Sequence, residues 1–88
     1  MINHIKTTIQ SVISDAEIYV FGDDGEHFEA LVISKLFIGK PLIKQHQLVM
    51  NALKAEFGSN QVHALALKTF TPEKWENVKE KFNLNLAK

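Results

Sequence analysis

The chain has 88 residues, of which 45% are hydrophobic, with ten lysines, no arginine, ten acidic residues and no cysteine. This length predicts one domain with an ordinary core, and the lack of cysteine excludes a disulfide scaffold, thiol catalysis and a thiolate metal site built by this chain alone. A formal net charge of zero gives no global field for nucleic acid or an anionic membrane. Because the N-terminus has no apolar signal core, we expect a cytoplasmic protein.

The first part of the chain predicts a helix followed by a β-hairpin. Apolar residues at helical spacing indicate a helix that ends near Ser14. They are Ile2, Ile5, Ile9, Val12 and Ile13. Glu17 to Phe21 and His27 to Ile33 are rich in β-branched and aromatic residues, which is typical of strands. The loop 22–26 holds two glycines and three acids, and so short a connection predicts an antiparallel pair.

The second part predicts a short helical turn, a long helix, a strand and a final helix. Ser34 is positioned to cap a turn over 35–38, and Gly39 ends that turn. The long helix begins at Pro41, ends at Gly58 and is expected to bury one stripe. The stripe consists of Leu42, His46, Val49, Met50, Leu53 and Phe57.

A third strand is predicted over 62–70, and Thr71-Pro72-Glu73 has the cap, proline and acid of a helix start. The apolar face of this last helix consists of Trp75, Val78 and Phe82. The order is therefore α-β-β-α-α-β-α, an α+β fold in which a three-stranded sheet packs against helices.

The four histidines are the residues best suited to titrate near neutral pH or to bind soft metals. His4 is expected to be solvated, and His46 to be a structural residue on the apolar stripe. His27 and His63 each begin a strand, so they meet only if the sheet brings both strand starts to one edge. Two imidazoles are half of a tetrahedral set, which argues against a closed structural zinc site.

Motifs for catalysis are not found in the sequence. There is no nucleophile elbow, no phosphate-binding lysine loop and no metalloprotease helix motif. The acidic loop lacks the twelve-residue ligand pattern of a calcium site. We therefore expect a binding protein, with no enzymatic activity and no small-molecule substrate.

Three stretches of the sequence together resemble the BolA family. The first is GDDGEHF at 22–28, and the second is FIGKPLIKQHQLV at 37–49, which is similar to the family pattern F-x-G-K-x-x-x-x-R-H-R-x-V. The third is HALALKTFTPEKW at 63–75, close to H-A-L-x-I-K-x-x-T-P-x-x-W. The resemblance implies a class II KH-like fold, with one BolA-like domain over 1–82 and a flexible tail over 83–88.

The resemblance also implies a partner and a cofactor. BolA-like proteins bind monothiol glutaredoxins through a shared [2Fe-2S] cluster, and the matching ligand positions here are His63 and His27. With His27 in the loop between the first two strands, the chain resembles the IbaG-type branch of the family, which has histidine rather than cysteine there. The other ligands would come from the partner's cysteine and a glutathione thiol, so the isolated protein is expected to hold no cofactor.

This ligation implies a dependence on pH. A protonated histidine has no free ring nitrogen with which to bind iron. The complex is therefore expected to weaken as the pH falls. Asp23, Asp24 and Glu26 favour the protonated form of His27, which moves that weakening toward neutral pH.

The resemblance leaves open a second function, a nucleic-acid-binding transcriptional regulator in iron or stress responses. Lys35, Lys40 and Lys44 form a modest basic patch on the KH-like surface that could contact DNA or RNA phosphates. Gln45 and Gln47 stand where the family pattern has arginine, which weakens this interpretation.

The turn that would grip a nucleic acid backbone is also altered. A KH module needs the turn G-x-x-G, but this chain has Gly39-Lys40-Pro41-Leu42, in which the second glycine is missing and proline removes an amide donor. A structural dimer through exposed sheet edges also remains open.

Overall fold

The computed structural model describes residues 2–22, 28–58 and 65–82. Its elements are α1 (Ile2–Val12), β1 (Glu17–Phe21), β2 (Phe28–Ile33), a 3₁₀ turn (Lys35–Phe37), α2 (Leu42–Phe57), β3 (Leu65–Phe70), α3 (Pro72–Val78) and a second 3₁₀ turn (Lys79–Phe82). The predicted α+β order is confirmed. The acidic loop, the predicted starts of the second and third strands at His27 and 62–64, and the tail 83–88 lie outside the described residues.

The three strands form one mixed sheet with β2 in the centre. β1 pairs with β2 in the antiparallel sense, with Glu17 opposite Ile33, which confirms the predicted hairpin. β2 pairs with β3 in the parallel sense, with Phe28 opposite Leu65. Residues 30–33 of β2 are all buried, as expected for a central strand covered on both faces.

Helices cover both faces of the sheet. On one face α1 and α2 pack over a core that includes Ile9, Val32 and Leu53. On the other face α3 packs Trp75 against Leu31 and Ile33. Aromatic rings surround the Trp75 ring at centroid distances of 5.4 to 5.7 Å, as is usual for aromatic pairs. They belong to Tyr19, Phe70 and Phe82.

The start of α3 is capped as the sequence predicts. The Thr71 hydroxyl accepts a hydrogen bond from the Lys74 N–H, and Pro72 occupies the first helical position. This cap fixes the direction in which the chain leaves β3 and sets Trp75 over the sheet. Within the described ranges, no helix is both long enough and apolar enough to cross a membrane.

The buried face of α2 differs from the predicted stripe at its N-terminal end. Val49 and Leu53 are buried as predicted, but Leu42 is 59% exposed and His46 is only half-buried. All four residues from 41 to 44 are exposed, and burial begins at Gln45. The prediction for Leu42 was wrong because periodicity identifies the inward side of a helix but not how far along its axis the core extends.

The turn after β2 is held by hydrogen bonds from two directions. The Ser34 hydroxyl accepts from the Leu36 N–H at 2.9 Å, which confirms the predicted cap, and donates to Asp15 Oδ1 at 2.6 Å. The Lys35 N–H donates to Asp15 Oδ2 at 2.9 Å. The hydrogen bond from Ser34 and then that from Lys35 lower the pKa of Asp15 below its ordinary value of 3.8.

We predict that Asp15→Asn destabilises the protein by about 1 kcal/mol at neutral pH, since two hydrogen bonds to a solvent-exposed charged group are weakened. The folded pKa of Asp15 is lowered, so its contribution is present above pH 3.8 and is lost as the pH falls through the folded value. Urea unfolding followed by the fluorescence of Trp75, the single tryptophan, measures the difference at each pH.

Glu76→Gln is the control for this prediction. It removes an exposed carboxylate whose contact with Lys79 is a surface ion pair, so it should change the free energy of unfolding by less than about 0.5 kcal/mol. A difference between wild type and Asp15→Asn that persists unchanged in acid would contradict the role of the ionised carboxylate.

Candidate functional site

The starts of β2 and β3 lie side by side at one end of the sheet. The two strands are parallel, and Phe28 at the start of β2 is opposite Leu65 at the start of β3. β1 ends at the same edge, because Phe21 is opposite Glu29. Neighbouring strands in a sheet are about 4.8 Å apart. The first residues of the two strands, Phe28 and Leu65, are therefore neighbours at one end of the sheet.

The two predicted metal ligands belong to the chain that leads into this edge. His27 directly precedes Phe28, and His63 is two positions before Leu65 in the sequence. Both histidines lie outside the described residues, so their ligand roles stay predictions. Among residues 2–22, 28–58 and 65–82, no three His, Cys, Asp or Glu side chains are grouped in a way that would hold a metal ion.

The other two histidines lie in helices and have structural surroundings. His4 is exposed as predicted, but its Nε2 atom lies 2.9 Å from Glu56 Oε2 and its ring packs edge-on against Phe57 at 4.6 Å. It therefore joins α1 to the end of α2, a contact that the sequence did not predict. His46 lies half-buried in α2.

The three lysines predicted to contact nucleic acid lie beyond the opposite end of β2. Lys35, Lys40 and Lys44 are all exposed. They belong to the segment 35–44, in which Phe37 is fully buried and the other nine residues are exposed. We name this segment the 35–44 surface. Four large aliphatic side chains are exposed on it: Leu36, Ile38, Leu42 and Ile43.

The electrostatics of the 35–44 surface are one-sided. Residues 30–55 contain four lysines and no acidic residue. The N-terminus of α2 adds a partial positive charge, because its cap residue Pro41 makes no side-chain hydrogen bond and its first turn has no acid. At the start of this segment the carboxylate of Asp15 accepts a hydrogen bond from the Lys35 N–H. Lys40 and Lys44 lie further along the segment.

Gln45 is a buried polar residue that holds the loop before α2. Its Nε2 atom donates to the carbonyl oxygen of Lys40 at 2.9 Å and to that of Phe37 at 3.4 Å. Its Oε1 atom accepts from the Thr69 hydroxyl of β3 at 2.7 Å. These bonds fix the backbone of the loop relative to the sheet, and Gly39 makes the turn at φ +80°.

Sequence reasoning treated Gln45 only as the loss of a positive charge. The signal that could have identified its role is its spacing. Gln45 precedes Val49 and Leu53 by four and eight positions, so it continues their inward stripe. A polar residue at such a position requires buried hydrogen-bond partners.

The comparisons with known proteins agree on one family. The sequence matches BolA-like proteins over residues 4–74. It is 33% identical to the acid stress protein IbaG of Escherichia coli K12 over 73 residues, covering 83% of this chain and 86% of that protein.

Two further relatives extend the comparison. The DNA-binding transcriptional regulator BolA of Escherichia coli K12 is 35% identical over 54 residues, covering 61% of this chain and 53% of that protein. A bolA protein homologue from Coxiella burnetii has a similar structure, with a TM-score of 0.72, 39% identity and coverage of 86% of this chain and 96% of that one. The two relatives from Escherichia coli are named as a stress protein and as a transcriptional regulator.

We predict that Gln45→Leu destabilises the protein by about 1 to 3 kcal/mol, because it leaves the buried Thr69 hydroxyl without its acceptor. Adding Thr69→Val should recover part of this loss, since both polar groups are then removed together. Chemical unfolding of the two single variants and the double variant measures the coupling.

Gln47→Leu is the matched control, because Gln47 is exposed on the same helix. It should leave the free energy of unfolding within about 0.5 kcal/mol of wild type. Strictly additive losses for Gln45→Leu and Thr69→Val would show that the two side chains do not stabilise each other.

Proposed function

The chain belongs to the family of BolA-like proteins, and from this we propose that it is an adaptor that binds a monothiol glutaredoxin through a shared [2Fe-2S] cluster. Its role would lie in iron–sulfur trafficking or in regulation by iron or stress. The observation that supports the proposal is the parallel register of β2 and β3, which brings the two strand starts to one edge. The residues just before these starts include His27 and His63.

The donor set of the chain fits a shared cluster better than one held by this protein alone. The sequence has no cysteine, and His27 and His63 would supply two imidazole nitrogens. The partner's cysteine and a glutathione thiol would supply the remaining two ligands. When bound, the cluster offers iron atoms that imidazoles and thiolates can ligate together. The chain's own part is to hold two neutral imidazoles at the edge of the sheet. Acid would protonate them and should therefore weaken the complex.

The alternative function, nucleic-acid binding through Lys35, Lys40 and Lys44, receives weaker support. The lysines are exposed, and one relative is named as a DNA-binding regulator. The 35–44 surface, however, exposes aliphatic side chains and no aromatic ring on which a base could stack. The chain has no arginine, and Pro41 has no backbone N–H to offer a phosphate.

Titration of this protein into a cluster-loaded monothiol glutaredoxin tests the adaptor function. We expect the visible absorbance and circular dichroism of the cluster to change and to saturate at one equivalent, because two of its ligands are exchanged. His63→Ala should abolish the change, and His27→Ala should reduce or abolish it.

His4→Ala and His46→Ala are the matched controls, because both histidines lie in helices and neither occupies a predicted ligand position. Both should titrate like the wild type. A flat titration of the wild type, or an unchanged response in His63→Ala, would overturn the proposal, and binding to DNA and RNA across salt concentrations would be measured next.

A further inference from the structure

The 35–44 surface exposes four large aliphatic side chains to solvent. The exposed fractions are 44% for Leu36, 63% for Ile38, 59% for Leu42 and 66% for Ile43. Single exposed aliphatic residues are common on protein surfaces, but several within one short segment are typical of an interaction site. The segment that carries them contains three lysines and no acid.

The 35–44 surface is held in place from beneath, so its apolar side chains are presented by a fixed backbone. The Phe37 side chain is fully buried in the core under α1 and α2. Ser34 caps the turn on one side, and Gln45 binds two carbonyl oxygens of the loop on the other. A surface that is already ordered loses little conformational entropy when a partner binds.

We propose that the 35–44 surface docks a segment of a partner protein that presents aliphatic side chains flanked by carboxylates. The four aliphatic residues would form the apolar centre of this interface, and Lys40 and Lys44 its charged rim. Protein interfaces combine an apolar centre with a polar rim in this way, and opposite charges across the rim select the partner and speed its association. The positive end of α2 also favours an acidic segment.

Two other classes of partner fit the 35–44 surface less well. Nucleic acid would leave four aliphatic side chains without a matching contact, and the surface offers no aromatic ring for stacking. Anionic membranes are recognised by clusters of roughly four to eight basic residues, whereas this surface has three lysines, and Lys35 is beside Asp15.

The proposed docking site is separate from the site of the proposed glutaredoxin complex. The strand starts lie at one end of β2, and the 35–44 surface follows the other end after Ser34. Six extended residues span roughly 20 Å. The docking proposal can therefore be tested independently of the cluster ligands.

A titration of the ¹⁵N-labelled protein with a synthetic amphipathic helical peptide tests the proposal. The peptide carries leucine on one face and glutamate on the other, and its charge-reversed counterpart carries lysine in place of every glutamate. We expect chemical-shift changes concentrated at residues 35–44 with the acidic peptide, and binding at least about tenfold weaker for the basic one.

Variants of the surface separate its apolar and charged parts. The double variant Ile38→Asn, Ile43→Asn should raise the Kd by about tenfold or more, as expected when central interface residues are replaced. Lys40→Gln with Lys44→Gln should raise it by about threefold or more and should reduce its dependence on salt. The controls are Val12→Asn, which alters an aliphatic residue of α1 that is 52% exposed, and Lys6→Gln. Both should bind the peptide like the wild type.

Several results would overturn the proposal. Shift changes outside 35–44, or equal affinity for both peptides, would show that this surface does not select an acidic partner. Tighter binding of a single-stranded oligonucleotide or of vesicles rich in phosphatidylserine at the same residues would assign the surface to nucleic acid or membrane. Concentration-dependent shifts at 35–44 without peptide would assign it to self-association.

Discussion

The parallel pairing of β2 with β3 is the constraint on which the rest of the molecule depends. Two parallel strands cannot be joined by a tight turn, so the chain must cross over between them. The described part of this crossover contains the 3₁₀ turn, the loop at Gly39 and α2. It covers one face of the sheet and carries the 35–44 surface past the far end of β2, while the starts of both strands stay together at the near end. Both candidate functional regions therefore follow from one pairing.

Polar contacts attach this crossover to the elements on either side. Asp15, just after α1, binds the turn that follows β2, and Gln45 connects the loop before α2 to Thr69 of β3. No buried side-chain nitrogen or oxygen among the described residues lacks a hydrogen-bond partner. Because hydrogen bonds are directional, these contacts define one position for the loop where apolar packing alone would allow several. The arrangement explains how a surface with four exposed aliphatic residues can still be well defined.

The parts of this fold that depend on neighbouring residues were predictable from the sequence. The bounds of β1, the caps at Ser34 and Thr71 and the antiparallel hairpin follow from local chemistry, and all of them are confirmed. The exposure of Leu42 was not predictable, because it depends on where the core ends along the axis of α2. Nor was the contact between His4 and Glu56, which requires the packing of α1 on α2.

The candidate site was also predictable only in part. Sequence patterns identified its candidate residues, and the tertiary structure supplies the register that relates the start of β2 to the start of β3. The buried role of Gln45 required both its spacing in α2 and the position of Thr69 on the sheet. The ligand roles of His27 and His63 stay predictions.

The register of the sheet also has a consequence for folding kinetics. β1 and β2 are close in sequence and can pair early, whereas β3 joins β2 only after the long crossover has been placed, and such non-local contacts form slowly. A ligand held from the starts of both β2 and β3 would bind the folded chain and not the unfolded one, so it would stabilise the pairing of these two strands. β3 could then leave the sheet only after the ligand is released from at least one of the two strand starts, so the complex would hold together two strands that are far apart in sequence.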